Sequence, residues 1–295
     1  MLLKINKEML PEALAGIGAH KDSLPIFAHK SEIIPLKLLE VRTPAANIIK
    51  QELLAIGGDA VTPAGAVTCA TKYVDVLLLG TLKAYKVLLK KLDQMPYFAI
   101  PKVAADIRAA LEPAELKTTL ADGRVLTYEK MCIMGILNIT PDSFYAGSRV
   151  PQMDTVVERA GQMLEHGAGI LDIGGESTRP GSDSVDGEEE RRRVLPVISA
   201  LRRAYPEAVL SVDTYRADTA EAALNAGADI INDISAMEAD PRMAEVVVKS
   251  KGPIILMHMR GTPKNMQQNC EYKNVVEEVA VYLAQRAQLL REQGV

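Results

Sequence analysis

AGILDIGGESTRPGS, residues 168–182, runs from an apolar stretch straight into a loop of glycines, hydroxyls and one arginine. GEEERRRVLPVISALRRAY (187–205) follows, with its apolar residues at helical spacing. The same order precedes it, in CIMGILNI (132–139) and MDTVVERAGQMLEHG (153–167). It recurs after it: AVLSVDT (208–214) leads into YRADTAEAALNAG (215–227), and ADIINDI (228–234) into DPRMAEVVVKS (240–250). PIILMHM (253–259) leads, through a loop, into NVVEEVAVYLAQRAQLLREQG (274–294). Near-continuous apolar runs of strand length, alternating with amphipathic helices, predict a parallel sheet covered by helices.

Such a sheet is either open and doubly wound or closed as a (β/α)8 barrel. Each expected strand carries its informative side chains at its C-terminal end: Asn138, the stretch from Asp172 to Arg179, Asp213, Asn232, and Met257 with His258. A barrel builds its site on that one face from many strands, whereas an open sheet concentrates it at one switch point. The barrel is therefore expected, with five β/α units present. Residues 131–295 number about 165, against roughly 250 for a whole barrel. Gly294-Val295 reads as the approach to a sixth strand, so the expectation is the front part of a longer protein.

The turn-forming Ala121-Asp122-Gly123-Arg124 divides the chain, giving an extension over residues 1–124 and the barrel part over 125–295. The extension reads as a small α/β domain. Thr43 is expected to cap a helix through AANIIKQELLAIG, with Pro44 in its first turn and Gly57-Gly58 ending it. VDVLLLG (74–80) reads as a strand, LKAYKVLLKKLDQ (82–94) as a helix, MPYFAIP (95–101) as a short strand and KVAADIRAALE (102–112) as a helix. His20 and His29 stand alone and read as ordinary surface or core residues.

Composition excludes several classes of function. A net charge of −4 gives no global attraction to nucleic acid or to an anionic membrane. No apolar run reaches the ~18 residues of a membrane span, and the opening MLLKINKEMLPEAL has no signal-peptide pattern. Cys69, Cys132 and Cys270 are odd in number and unpaired in spacing, so reduced thiols in the cytoplasm are expected.

Each motif supports a chemical reading and a plainer one. TPDS (140–143) is ordinary turn material after a strand, or part of a site. Arg179 among hydroxyls and glycines suits an anion or a planar polar ligand, or the loop is simply a surface loop. Asp213 either points into a barrel mouth, where burial requires a partner, or caps the next helix. Asn232 offers a donor and an acceptor to a heterocycle edge, or it joins Asp233 in a cap. Met257 lines a ring or packs in the core. His258 has no second histidine or cysteine at metal-ligand spacing.

Taken in order on consecutive strand ends, GILNITPDSF and DIGGESTRPGS closely resemble the two signature segments of the dihydropteroate synthases. SVDT, INDI and LMHMRGTP stand in that family's order and spacing. The resemblance runs from about Lys130 to Val295. It implies a TIM barrel, usually homodimeric and a sulfonamide target. The implied reaction condenses 6-hydroxymethyl-7,8-dihydropterin pyrophosphate with p-aminobenzoate, giving 7,8-dihydropteroate and pyrophosphate. The implied transition state is dissociative, with cationic character on the pterin methylene.

It further implies Mg²⁺ held with the pyrophosphate at Asn138, and Asp213, Asn232 and Met257 around the pterin. Phe144, Thr178 and Pro180 would shape the p-aminobenzoate pocket, with Arg179 of the second loop, Asp213 and Asn232 as the catalytic groups. The family's later strands supply a second aspartate, a lysine and an Arg/His pair that this sequence does not contain. Two alternatives stay open: a methyltetrahydrofolate–corrinoid methyltransferase, which should lack TPDSF and GGESTRPG, and a non-catalytic pterin-binding or partner protein.

Overall fold

The computed structural model describes residues 9–18, 20, 22, 27, 32–112, 115–139, 153–176, 185–262, 265–266 and 270–295. The chain forms two compact units, Met1–Glu115 and Leu116–Val295.

The first unit holds α1 (Leu10–Ile17), β1 (Ile34–Arg42), α2 (Thr43–Leu54), β2 (Asp59–Val61), β3 (Tyr73–Gly80), α3 (Leu82–Leu92) and α4 (Ile100–Leu111). Its antiparallel sheet has the order β1-β3-β2. β3 alternates buried and exposed residues along VDVLLLG, so only one face packs. Val74, Val76 and Leu78 meet Ile49 and Leu53 of α2, Tyr85 and Leu88 of α3 and Ile107 of α4 in one core. The Tyr85 hydroxyl donates to the Ile34 carbonyl at 2.7 Å, and burial pushes its pKa up to about 12.

Two expectations fail in this unit. Thr43 is the first helical residue and not the cap; buried, it donates its hydroxyl to the Thr71 carbonyl at 2.5 Å. MPYFAIP is not a strand: residues 95–99 form a turn, and Ile100 and Pro101 open α4. Phe98 and Ala99 both take positive φ, which reverses the chain into α4, and an apolar pattern cannot signal that geometry.

The second unit opens with a hairpin, β4 (Lys117–Thr119) and β5 (Val125–Thr127). Five strand–helix pairs follow: β6 (Ile133–Asn138), α5 (Met153–Glu165), β7 (Ala168–Gly174), α6 (Gly187–Ala204), β8 (Val209–Asp213), α7 (Ala217–Ala226), β9 (Ile230–Asp233), α8 (Met243–Ser250), β10 (Ile254–Leu256) and α9 (Val275–Glu292). The strands are parallel and lie in chain order from β6 to β10.

Strict chain order has a consequence. Right-handed crossovers taken always in the same direction place every helix on one face. Leu137, Ile173, Val212 and Ile231 point to that face. There they join Ala160 of α5, Ile198 of α6, Ala223 of α7, Val247 of α8 and Leu290 of α9 in a single core. A doubly wound sheet would reverse its order and cover both faces. The described strands form an open arc and do not close on themselves, with β6 and β10 as its edges.

The concave face is layered. Met134, Ile170, Val209 and Ile230 form its lowest part, and Leu120 and Leu126 of the hairpin pack beneath them. The Asp122-Gly123 turn, read from sequence as the division between domains, is thus the tip of a hairpin that belongs with the arc. Polar contacts fix it as well. Asp229 receives Arg124 at 2.5 Å and Arg202 at 2.6 Å, and its Oδ2 accepts from the Leu210 N–H at 2.8 Å. No helix among the described residues is long and apolar enough to cross a membrane.

Asp229, with 11% of its side chain exposed, is the partner of two arginines. Asp229→Ala is expected to cost about 3 kcal/mol in urea denaturation, because Arg202 loses its carboxylate partner and Arg124 keeps only Asp122. Breaking the exposed Lys249–Glu221 pair should leave the midpoint of the same experiment nearly unchanged.

Candidate functional site

The C-terminal edge of the arc places its polar residues in one row. Asn138 is level with Gly174, Gly174 with Asp213, Asp213 with Asn232, and Asn232 with Ile255. Strand alternation puts this row on the concave face, opposite the helices. The glycine in the row makes room. A Cβ on Gly174 would lie 3.3 Å from Asn138 Oδ1 and 3.5 Å from Asp213 Oδ2, so the two oxygens flank the space that a side chain would fill. The next glycine serves the other face: a Cβ on Gly175 would lie 2.9 Å from Val194 Cγ1 and 3.1 Å from the Glu190 carbonyl. Neither glycine has positive φ. Close approach, and not backbone freedom, is what both positions require.

One layer below the row, Asp172 is level with Ser211. Asn232 Nδ2 donates to Asp172 Oδ2 at 3.0 Å, tying β9 to β7 across β8. Burial raises the Asp172 pKa, and the nearby Ser211 hydroxyl and Asn232 amide lower it in part. Asp172 Oδ1 and Ser211 Oγ are buried and have no hydrogen-bond partner among the described residues, although they are neighbours. Two such atoms beneath a row of polar side chains are unusual in a folded interior.

Asp213 is the most perturbed carboxyl of this row. Burial raises its pKa to about 7, and the charges of Asp172, Glu190, Asp233 and Glu176 add to the effect. It is not a helix cap, since the residue before α7 is Arg216, which makes no side-chain cap. Asn232 and Asp233 separate by alternation. Asn232 belongs to the concave row. Asp233 is fully buried and accepts from the Ser235 N–H and hydroxyl and from the Met237 N–H, so it shapes the turn after β9. The Met257 N–H donates to the Asp233 carbonyl at 3.3 Å, which fixes that residue just beyond β10. His258 packs edge-on against Tyr282, centroids 4.9 Å apart.

Phe144, Thr178, Arg179 and Pro180 lie outside the described residues. The ends of the 177–184 segment are defined: Glu176 and Val185 both contact Arg216. Sequence reading missed Arg216, Tyr215 and Glu190. YR directly after SVDT was the available signal, whereas Glu190 is indistinguishable from its neighbours in an EEE run. No group of three or more His, Cys, Asp or Glu side chains able to hold a metal occurs among the described residues.

Residues 134–295 match the family model described as pterin binding enzyme. This chain is a member of the dihydropteroate synthase family of pterin-binding enzymes. It is 37% identical over 267 residues to a probable bifunctional folylpolyglutamate synthase/dihydropteroate synthase of Haloferax volcanii, covering 86% of this chain and 31% of that protein. A bifunctional dihydropteroate synthase/dihydropteroate reductase of Helicobacter pylori is 30% identical over 291 residues, covering 98% of this chain and 73% of the relative. Among solved structures, the Yersinia pestis dihydropteroate synthase with a sulfonamide drug complex superposes with a TM-score of 0.56 at 38% identity, covering 61% of this chain and 64% of that one. The chain spans about three fifths of the length of the single-function synthases it matches and under a third of the Haloferax protein.

The two glycines of this family segment should separate on substitution. Gly175→Ala forces a Cβ against the α6 backbone and should cost about 1–3 kcal/mol in thermal or urea unfolding. Gly174→Ala meets only side-chain atoms and should leave stability nearly unchanged. Asp213 gives a pH test. Its folded-state pKa lies above the ordinary carboxyl value, so the stability it contributes is fullest when it is protonated. That stability is lost as pH rises from about 4 through about 7. Asp213→Asn should therefore melt above the parent protein at pH 8, with the gap closing toward pH 4. An equal gap at both values would show that Asp213 ionises without hindrance.

Proposed function

We propose that this chain acts in folate biosynthesis as a dihydropteroate synthase. It would join 6-hydroxymethyl-7,8-dihydropterin pyrophosphate to p-aminobenzoate and release pyrophosphate. The observation that carries the reading is the row Asn138–Asp213–Asn232 with Asp172 beneath it. An acceptor carboxylate, a two-way amide and a second buried carboxyl line one concave edge. That set is complementary to a heterocycle with adjacent N–H donors and ring acceptors.

The arc is read as the first five strands of a (β/α)8 barrel, whose mouth would hold both substrates. The amine of p-aminobenzoate attacks the pterin methylene, the bond to the pyrophosphate oxygen breaks, and the amine gives up its proton. Positive charge grows on the pterin as that bond loosens, and an ionised Asp213 would stabilise it within the low-dielectric face. Negative charge grows on the leaving pyrophosphate. The oxygen of Asn138, a hard donor beside Gly174, fits Mg²⁺ that takes its other ligands from phosphate and water. Bound there, Mg²⁺ would neutralise leaving-group charge. Phe144, Thr178 and Pro180 would enclose p-aminobenzoate, Met257 would pack on the pterin, and Arg179 would meet the anionic substrate. A cytoplasmic homodimer is the proposed setting, and the odd number and wide spacing of Cys69, Cys132 and Cys270 support a reducing compartment.

The first test is pyrophosphate release by the purified chain with pterin pyrophosphate, p-aminobenzoate and Mg²⁺. Release that depends on the amine is expected. Amine-independent release, or methyl transfer to a corrinoid protein in its place, would overturn the reading. Binding of 6-hydroxymethyl-7,8-dihydropterin should strengthen as pH rises and level off above about 7, because the ionised Asp213 accepts the pterin N–H groups. Arg179→Ala should lower turnover, or raise the KM for p-aminobenzoate, by at least about ten-fold while leaving pterin affinity within about two-fold; one such contact is worth roughly 1.5–3 kcal/mol.

A second activity is proposed for assay on the same preparation. The Helicobacter relative, whose match runs through both units of this chain, is also named a dihydropteroate reductase. Reduction of dihydropteroate should be measured with and without residues 1–115.

A further inference from the structure

Behind Asp213 lies a buried charge cluster that the proposed chemistry does not use. Arg216 Nη1 stands 2.7 Å from Glu176 Oε2 and 3.0 Å from Glu190 Oε2. Arg216 Nη2 donates to the Val185 carbonyl at 2.6 Å and to the Tyr215 hydroxyl at 2.9 Å. Tyr215 Oη in turn donates to Glu176 Oε2 at 3.1 Å, and Thr219 Oγ1 to Glu190 Oε2 at 2.8 Å. Glu190 is 1% exposed and Glu176 10%. Space is reserved for the arginine, since a Cβ on Gly187 would lie 3.3 Å from Arg216 Cδ.

We propose that Arg216 is a positioning residue that favours the charge on Asp213, by offsetting in part the two carboxylates paired with it, and that holds Glu176 and Val185 together. The inference rests on Asp213 being the pterin anchor proposed above.

The charged groups facing Asp213 come from four elements. Asp172 and Glu176 come from β7 and its exit, Glu190 from α6, Asp233 from β9, and Tyr215 with Arg216 from the exit of β8. Asp172 is met by the Asn232 amide, and Asp233 by the Ser235 hydroxyl and backbone N–H groups, all neutral donors. Glu176 and Glu190 are met by a cation. Were that cation absent, both would act on Asp213 unopposed through a low-dielectric interior, where such interactions are strong. Tyr215 cannot substitute, because burial raises its pKa to about 12 and it stays neutral. The geometry also explains why an arginine is present. Its planar fork reaches two carboxylates, a carbonyl and a hydroxyl at once, and a lysine ammonium cannot span them.

The test is a carboxyl-carbon NMR titration of the full chain, with the Asp213 resonance assigned from Asp213→Asn. Arg216→Met should raise the Asp213 midpoint by about one pH unit. Glu190→Gln should lower it by a similar amount, and the double variant should fall near the parent. At pH 7 a one-unit rise from a midpoint near 7 leaves about five-fold less ionised Asp213. Affinity for 6-hydroxymethyl-7,8-dihydropterin should fall by the same factor in Arg216→Met and rise less than two-fold in Glu190→Gln.

If Arg216→Met does not fold, Glu190→Gln and Glu176→Gln carry the test, each expected to lower the midpoint. Midpoints that do not move, or that move the same way in Arg216→Met and Glu190→Gln, overturn the role of Arg216 even where pterin binds. Opposed shifts in a parent chain that binds no pterin overturn the pterin reading and keep the electrostatic role.

Discussion

The charge of Asp213 is the constraint around which the second unit is arranged. A carboxylate at the end of a buried strand is costly, and here Asp172, Glu190, Asp233 and Glu176 all oppose its ionisation. Most of the local sequence can be understood as managing that cost. Asn232 occupies Asp172, Asp233 is spent on the turn that follows it, and Gly174 keeps bulk away from the carboxylate. A site that must be ready for a ligand holds its polar atoms partly unsatisfied and draws its stability from elsewhere. The outer face supplies it: β-branched and leucine side chains of four strands meet apolar side chains of five helices in one core.

The architecture was legible because its signals repeat. Five strand–loop–helix units with polar residues only at strand ends leave few topologies, and the chain order of the sheet agrees with the barrel reading over a doubly wound one. Asn138, Asp213 and Asn232 were readable for the same reason, since position at a strand end fixes both face and height. The Asn232–Asp233 pair shows what alternation adds: adjacent residues that a motif treats as one unit face opposite sides and do different work.

What was not legible depended on long-range contacts. Glu190 looks like any first-turn acid, and only the packing of α6 against the exit of β7 turns it toward Arg216. MPYFAIP has the composition of a strand, but two consecutive residues with positive φ make it a turn. The role of the glycines after Asp172 was also hidden. Their φ angles are ordinary, and the need for them appears only once Asn138, Asp213 and α6 are in place around them.

The hairpin beneath the arc bears on where the chain can be cut. Leu120 and Leu126 cover the lowest apolar layer, and Arg124 supplies half of the countercharge on Asp229. A fragment begun at the Asp122-Gly123 turn would split the hairpin between its strands, leaving Ile170, Val209 and Ile230 open to water from below. A fragment begun after Glu115 keeps that floor intact. The choice between a soluble fragment of the second unit and an insoluble one therefore turns on a few residues that lie outside the polar row.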